Sequence, residues 1–205
     1  MQLKQDFNNT RRAMVVKTLS YFIAANPNVQ QKLLLELKGI MPKVSDSAAL
    51  RDFEKLPYLD SVIREGLRLG TAVTHRISRA FPDKTLYYHD QTIPPGTNVN
   101  MTSLLINENE DIFPDPNTFR PERWLNNSHL HRYLIPFSKG PRSCLGINLA
   151  WAELYLIVGT IFRRFNFEVE MVSKERDIDI ASDVVMAVPR VDSPGVIVKI
   201  LVNED

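Results

Sequence analysis

Cysteine is nearly absent: one residue in 205, Cys144. An internal disulfide is therefore excluded, and bridges do not constrain the redox compartment. An excess of charge of either sign is also lacking. Lys and Arg number 25, Asp and Glu 24, the net charge is +1, and no basic block occurs, so the electrostatic footprint of a nucleic-acid binder is missing. No run of eighteen clean apolar residues exists. The nearest, 147–162, is interrupted by Asn148 and Glu153 and reads as a buried helix rather than a membrane span. The opening Met1-Gln-Leu-Lys-Gln-Asp6 is polar and does not read as a secretory leader. Internal repeats, low-complexity tracts, a phosphate-cradling glycine loop and a serine-centred nucleophile motif are absent too. What is there is ordinary globular material, 44 % hydrophobic and 24 % charged, long enough for one domain with a real core.

Periodicity and punctuation predict the elements. Residues 1–12 carry no clear pattern. Helices are expected over 13–25, ending at Asn26-Pro27, and over about 28–40, with Val29, Leu33, Leu34 and Leu37 on one side. A short helix is expected over 45–55 with Asp46 or Ser47 as its cap. A further helix over about 57–69 stops at Gly70, read as a normal glycine terminator. Strands are expected over 75–81 and 84–89, a tight turn at Pro94-Pro95-Gly96-Thr97, another strand over 98–102, and one or two helical turns over 103–109. Residues 111–134 are irregular and rich in Pro, Asn and Asp, which in a compact domain marks a functional segment. A long apolar helix follows over about 147–165. The end of the chain alternates apolar and polar residues, Phe167–Glu170 and Gly195–Leu201, as paired strands do.

The chemistry concentrates around Cys144, in Phe137-Ser-Lys-Gly-Pro-Arg-Ser-Cys-Leu-Gly146. Gly140 and Pro141 force a turn, and Gly146 allows the backbone close to something flat and bulky. Arg142 places a fixed positive charge two residues before the sulfur. The long helix begins immediately afterwards, so the cysteine sits where unpaired N–H groups and the helix dipole favour an anion and lower a thiol pKa. A thiolate in that setting suits an axial ligand to haem iron.

The spacing Phe137-x-x-Gly140-x-Arg142-x-Cys144-x-Gly146 resembles the haem-thiolate signature of the cytochrome P-450 monooxygenases. Two more motifs support the resemblance. Glu65-x-x-Arg68 places two charges on neighbouring positions of the 57–69 helix, and Phe119-Arg-Pro-Glu-Arg-Trp124 resembles the family stretch whose arginine, here Arg123, joins that pair. Burying three such charges costs several kcal/mol unless they are mutually hydrogen-bonded. Glu65, Arg68 and Arg123 are therefore expected to be structural rather than chemical. The resemblance implies a mixed α and β fold, mainly α, corresponding to the C-terminal half of the P-450 fold. Its parts are a distal-side helix remnant (1–26), helices including the Glu-x-x-Arg helix (27–69), strands (70–102), a meander (103–136), the cysteine loop (137–146), a long helix (147–165) and terminal strands (166–205).

The cofactor implied is haem b, iron protoporphyrin IX, held by Cys144. The resemblance implies Arg79 and Arg142 as partners of the haem propionates, since arginine meets a carboxylate bidentately and stays charged. Phe137, Gly140 and Gly146 are expected in the cofactor cradle, with Phe137 shielding the sulfur. Arg76 also flanks the first strand, and His75 is read as structural. The substrate side would be lined by Ala72, Val73 and Thr74 and, near the end of the chain, by Val185 and Met186. His129-x-His131 lacks a third ligand and reads as a solvated loop, as does the acidic cluster Glu108, Glu110, Asp111 and Asp115.

One part of the family pattern fails. The acid–alcohol element that delivers protons on the opposite face of the haem should fall near residues 8–15. The sequence there is Asn8-Asn-Thr-Arg-Arg-Ala-Met-Val15, with no acid before Thr10 and with Arg11 and Arg12 in place of small residues. No catalytic acid or alcohol is assigned. The resemblance covers less than half of a typical member, so an N-terminally truncated chain with an open distal face, uncovered apolar surface and no activity of its own is expected. For an intact member it implies insertion of one oxygen atom from O₂ into an apolar small molecule, with electrons from NADPH through a separate reductase, and residence at the endoplasmic reticulum membrane. The stretches 137–156 and 161–165 resemble filamentous-fungal members that oxidise terpenoid or polyketide intermediates. Two alternatives remain: a haem-thiolate enzyme that rearranges or dehydrates an oxygenated substrate without O₂, and a non-catalytic remnant.

Overall fold

The computed structural model describes residues 11–183 and 187–205. Helix α1 (Arg11–Ala24) buries Val15, Leu19, Phe22 and Ile23 along one face. That face packs on α2 (Pro27–Lys38) and α4 (Pro57–Leu69), and Val29, Leu33 and Leu37 of α2 complete the contact. Asn26 ends α1 rather than capping α2: its Nδ2 donates to the Phe22 carbonyl at 2.7 Å. Pro27 and Pro57 each occupy a first helical turn, where a missing N–H costs nothing. The start of α4 is capped from outside. The Tyr58 and Leu59 N–H groups donate to the two carboxylate oxygens of Glu36 on α2, each at 2.8 Å.

One expectation needs correction here. The helix expected over 45–55 is only one turn, α3 (Leu50–Phe53), preceded by Ala49. Asp46 does not cap it, because its Oδ2 accepts from the Lys43 N–H at 2.8 Å and closes an earlier turn. Gly70 does end α4, but with φ −87° rather than in the left-handed region. Its requirement is steric, since a Cβ there would lie 2.7 Å from the Gly66 carbonyl oxygen.

Strand β1 (Ile77–Arg79) pairs antiparallel with β4 (Val99–Met101), Ser78 opposite Asn100. The hairpin of β2 (Leu86–Tyr88) and β3 (Gln91–Ile93) is inserted between them, so the two strands expected over 75–81 and 84–89 do not pair with each other. The turn at Gly96 takes φ +77°, which glycine adopts without strain. After the single-turn helix α5 (Leu104–Asn107), the chain runs irregularly. It is broken by 3₁₀ turns at Pro121–Trp124 and Ser128–Arg132 and packs a small core of Phe113, Trp124 and Leu130.

Helix α6 (Ile147–Arg164) buries Leu154, Tyr155, Val158 and Phe162 against α2, α3 and α4. No helix among the described residues is long and apolar enough to cross a membrane. Strand β5 (Phe165–Val169) pairs antiparallel with β8 (Val198–Val202). Asn203 then closes α6, its Nδ2 donating to the Phe162 and Arg163 carbonyls and its N–H to the Arg164 carbonyl. Between those strands lie α7 (Lys174–Asp177), which periodicity did not signal, and the short pair β6 (Ser182–Asp183) and β7 (Ala187–Val188). The buried Asp177 accepts from Arg176, from Ser193 Oγ at 2.6 Å and from the Ser173 N–H at 2.9 Å.

Two outcomes follow from this packing. A Cβ on Gly159 would lie 2.5 Å from Cδ1 of the buried Phe53. Overpacking of about 1–3 kcal/mol then outweighs the roughly 1 kcal/mol that alanine gains over glycine in a helix. Gly159→Ala should lower the urea-unfolding free energy by up to about 2 kcal/mol, and Phe53→Leu in the same chain should recover part of it. The Arg176 guanidinium, with Ser193 and the Ser173 N–H, holds the Asp177 carboxyl well below the usual carboxylate range, against the opposing effect of its burial. A depressed folded-state pKa gives stability that is present above the unfolded value and lost as pH falls toward the folded one. Protection of the amides of 173–178 relative to the unfolded chain should therefore fall as pH drops below about 4, and Asp177→Asn should flatten that dependence.

Candidate functional site

Glu65, Arg68 and Arg123 come together in the interior. Arg68 forks onto Glu65, Nε to Oε2 at 3.0 Å and Nη2 to Oε1 at 2.8 Å, and Arg123 Nε reaches Oε1 at 3.0 Å. The carboxylate has no solvent exposure. It accepts two further bonds that sequence reasoning missed: Trp124 Nε1 to Oε2 at 2.8 Å and the Arg120 N–H to Oε1 at 3.1 Å. Trp124 carried a usable signal, since a buried indole N–H usually finds an acceptor. One carboxylate faces two guanidiniums, so a positive charge is left over. Backbone carbonyls take it up: Arg68 donates to the Asn107 and Thr118 carbonyls, Arg123 to those of Pro114, Asp115 and Thr118. Burial pushes the Arg123 pKa below its ordinary value, with Glu65 opposing. Arg68 also lies over the Phe113 ring, 5.1 Å from its centroid.

The cysteine loop leaves this cluster through the two 3₁₀ turns. Gly140 takes φ +81°, Ser143 N–H closes the turn onto the Gly140 carbonyl at 3.0 Å, and Cys144 N–H donates to the Phe137 carbonyl at 2.9 Å. Helix α6 starts at Ile147 with Gly146 before it. Cys144 is exposed, three residues from a helix start with unpaired N–H groups.

Cys144 lies on the wall of a cavity of about 950 Å³. Its walls are largely apolar, with Val73, Ile77, Met101, Leu145 and Leu149 among the contributors, and four cationic side chains enter them: Arg76, Arg79, Lys139 and Arg142. Phe137, Gly146, Ala72 and His75 also line it. Arg79 is held toward the cysteine loop, with Nη2 donating to Ser138 Oγ at 3.2 Å. Four of the expected site residues are not on this wall or lie outside the described residues. Thr74 is buried, its carbonyl accepts Thr102 Oγ1 at 2.8 Å, and it is not among the residues that line this cavity. Gly140 shapes the turn and does not reach the wall. Val185 and Met186 lie outside the described residues, as do residues 8–10 of the 8–15 element. Met101, Leu145 and Leu149 were not called, because nothing in their periodicity separates a cavity wall from a core.

The donor set fits an iron macrocycle bearing carboxylates. It offers one soft sulfur ligand, apolar walls for a flat ring and several cations for its acids. A Cβ on Gly146 would meet only the Cys144 sulfur, at 4.0 Å, which leaves room beside the ligand. His129 and His131 do not join the cavity. His129 Nε2 meets Arg132 Nη2, and the His131 ring lies 6.0 Å from that of Trp124. Of the acidic cluster, Asp115 contributes its carbonyl to Arg123.

The family model for cytochrome P-450 matches residues 13–192. The chain is 43 % identical over 199 residues to cytochrome P-450 monooxygenase tpcC of Cochliobolus heterostrophus, covering 88 % of this chain and 38 % of that protein. It is 39 % identical to N-acetyltryptophan 6-hydroxylase ivoC of Emericella nidulans, covering 90 % and 37 %. It is 38 % identical to tryptophan 6-hydroxylase fscE of Fusarium equiseti, covering 89 % and 36 %. The chain thus spans little more than a third of the length of the curated relatives it matches.

Removing the shared acceptor should cost far more than removing one donor. Glu65→Ala leaves two buried guanidiniums without a counter-charge, a loss of about 3–5 kcal/mol. Trp124→Phe removes one charge-assisted bond and should cost about 1.5–3 kcal/mol. Urea unfolding of the two variants checks the order.

Proposed function

The chain belongs to the cytochrome P-450 family, and from that premise we propose that its described residues build the cysteine side of a haem-thiolate monooxygenase site. The observation that carries the reading is Cys144 on the wall of an apolar cavity that also receives Arg79 and Arg142. Haem bound through a cysteine thiolate supplies activation of O₂ and insertion of one oxygen atom into an apolar substrate. The chain's own residues hold and shield that group. Cys144 would hold the group through its sulfur, and Arg79 and Arg142 would meet its carboxylates. Phe137, Leu145 and Leu149 keep water from the ring, and Ala72 and Val73 face the substrate side. Glu65, Arg68 and Arg123 do no chemistry and fix the chain that leads into the cysteine loop.

The substrate proposed is an apolar small molecule of fungal secondary metabolism, terpenoid or polyketide in class. Electrons are proposed to come from an NADPH-dependent reductase at the endoplasmic reticulum membrane. Both proposals rest on the family resemblance. One observation favours a second reading: Asn9, rather than an acid, stands immediately before Thr10, which suits a haem-thiolate enzyme that rearranges or dehydrates an oxygenated substrate.

Titrating the chain with haem, then reducing it under CO, tests the proposal. A thiolate-type absorption band is expected, and it should disappear in Cys144→Ser. Arg79→Gln and Arg142→Gln should each weaken haem binding by about tenfold while leaving the band's position unchanged. A Cys144→Ser chain with the wild-type spectrum would overturn the reading. Given haem uptake, oxidation driven by NADPH and reductase supports the monooxygenase, whereas turnover of a hydroperoxide alone supports the second reading.

A further inference from the structure

Helix α4 faces the cysteine loop with a side chain outside the Glu65 cluster. Arg64 sits half-buried, its guanidinium 5.1 Å from the centroid of the Trp151 ring on α6. Asp60, one turn earlier, fixes that guanidinium through Nε at 2.6 Å and accepts the Tyr155 hydroxyl at 2.6 Å on its other oxygen. Trp151 lies between Tyr155 and Phe137, with ring centroids 5.9 and 6.1 Å away. Phe137 in turn provides the carbonyl that holds the Cys144 N–H at 2.9 Å. The contacts form an unbroken path from α4 through α6 to the residue that carries the sulfur.

We propose that Arg64 and Trp151 are positioning residues for the cysteine ligand. The cation–aromatic contact, anchored by Asp60, clamps the Phe137 ring and so fixes the backbone that presents Cys144. A cation over an indole face is attracted by the ring's electron density, more strongly where water is partly excluded. Trp151 has neighbours on both faces of this path, so its ring transmits the position of α4 to the loop. The clamp concerns the cysteine loop itself, and its ligand role rests on the haem reading above.

Two measurements separate the claims. Amide exchange of residues 137–146 requires no haem. Trp151→Leu and Arg64→Gln should accelerate exchange at Cys144 about tenfold relative to the amides of β5 and β8, and Trp151→Phe should stay near wild type. In the haem-loaded chain the same two variants should weaken haem binding by about tenfold and lower the thiolate-type fraction of the CO band, with Trp151→Phe again preserving both. Unchanged exchange in Trp151→Leu and Arg64→Gln overturns the clamp. So does equal acceleration in Trp151→Phe, or a loss of far-ultraviolet helix signal that matches the exchange change, since either reduces Trp151 to general packing. If the wild-type chain takes up no haem, the haem reading fails, and the exchange result alone then decides the clamp.

Discussion

A carboxylate sealed from water, Glu65, sets the terms for the rest of this fold. Five donors converge on it: two from Arg68, one from Arg123, the Trp124 indole and the Arg120 N–H. The stretch between α5 and α6 has no sheet partner and only two short 3₁₀ turns, yet its buried backbone groups must still be paired. The cluster does that pairing. Arg68 and Arg123 reach the carbonyls of Asn107, Pro114, Asp115 and Thr118, and Glu65 takes an N–H in return. A buried ion pair is weak evidence for stability, because an apolar replacement often does as well. Here an apolar replacement would also leave those carbonyls unpaired, so the charged solution serves an irregular chain in a way hydrocarbon does not.

Helix α4 is what connects that cluster to the cysteine. Its start is fixed by the Glu36 carboxylate from α2, its Glu65 and Arg68 hold the irregular segment, and its Arg64 leans on Trp151 of α6. Helix α4 thus contacts both the irregular segment that precedes the Cys144 loop and the helix that follows it. The fixed end of the path is charged and buried, while the sulfur end is open to the cavity. Rigid support beneath an exposed ligand is the arrangement a metal-binding side chain needs, since the ligand must be free to bind while its backbone is not free to move.

Long periodic segments were legible from sequence. Helices α2, α4 and α6 and the strands β5 and β8 fall within two or three residues of their expected ends, because each carries one apolar face over many residues. The one-turn helices were not. Asp46 looked like a cap for a helix over 45–55, and only the structure shows it committed to the Lys43 turn. The pairing of Glu65 with Arg68 follows from helical spacing, but Trp124 and Arg120 approach from 59 and 55 residues away, and no local pattern encodes that approach. Spacing also could not sort the residues after α4. Thr74, expected at the pocket, is buried with its carbonyl bonded to Thr102 Oγ1, and its neighbours Ala72 and Val73 line the cavity. Arg79 was singled out by family resemblance alone, since Arg76 enters the same space.

The cavity wall bears on stability as well as on chemistry. Leu145 is fully exposed, and Met101 and Leu149 are more than half exposed. Leu145 forgoes about 1.5–3 kcal/mol that full burial would provide, and Met101 and Leu149 roughly half as much each. An apolar ring seated against Cys144 would cover some of this surface only when the chain is folded, because the unfolded chain assembles neither the sulfur, the arginines nor the wall at one place. Binding of that kind stabilises the folded state in proportion to the logarithm of ligand concentration over its dissociation constant. The exposed leucines beside the sulfur thus couple occupancy of the site to the integrity of the loop around it. A group bound there would add its binding free energy to the contacts that hold the loop.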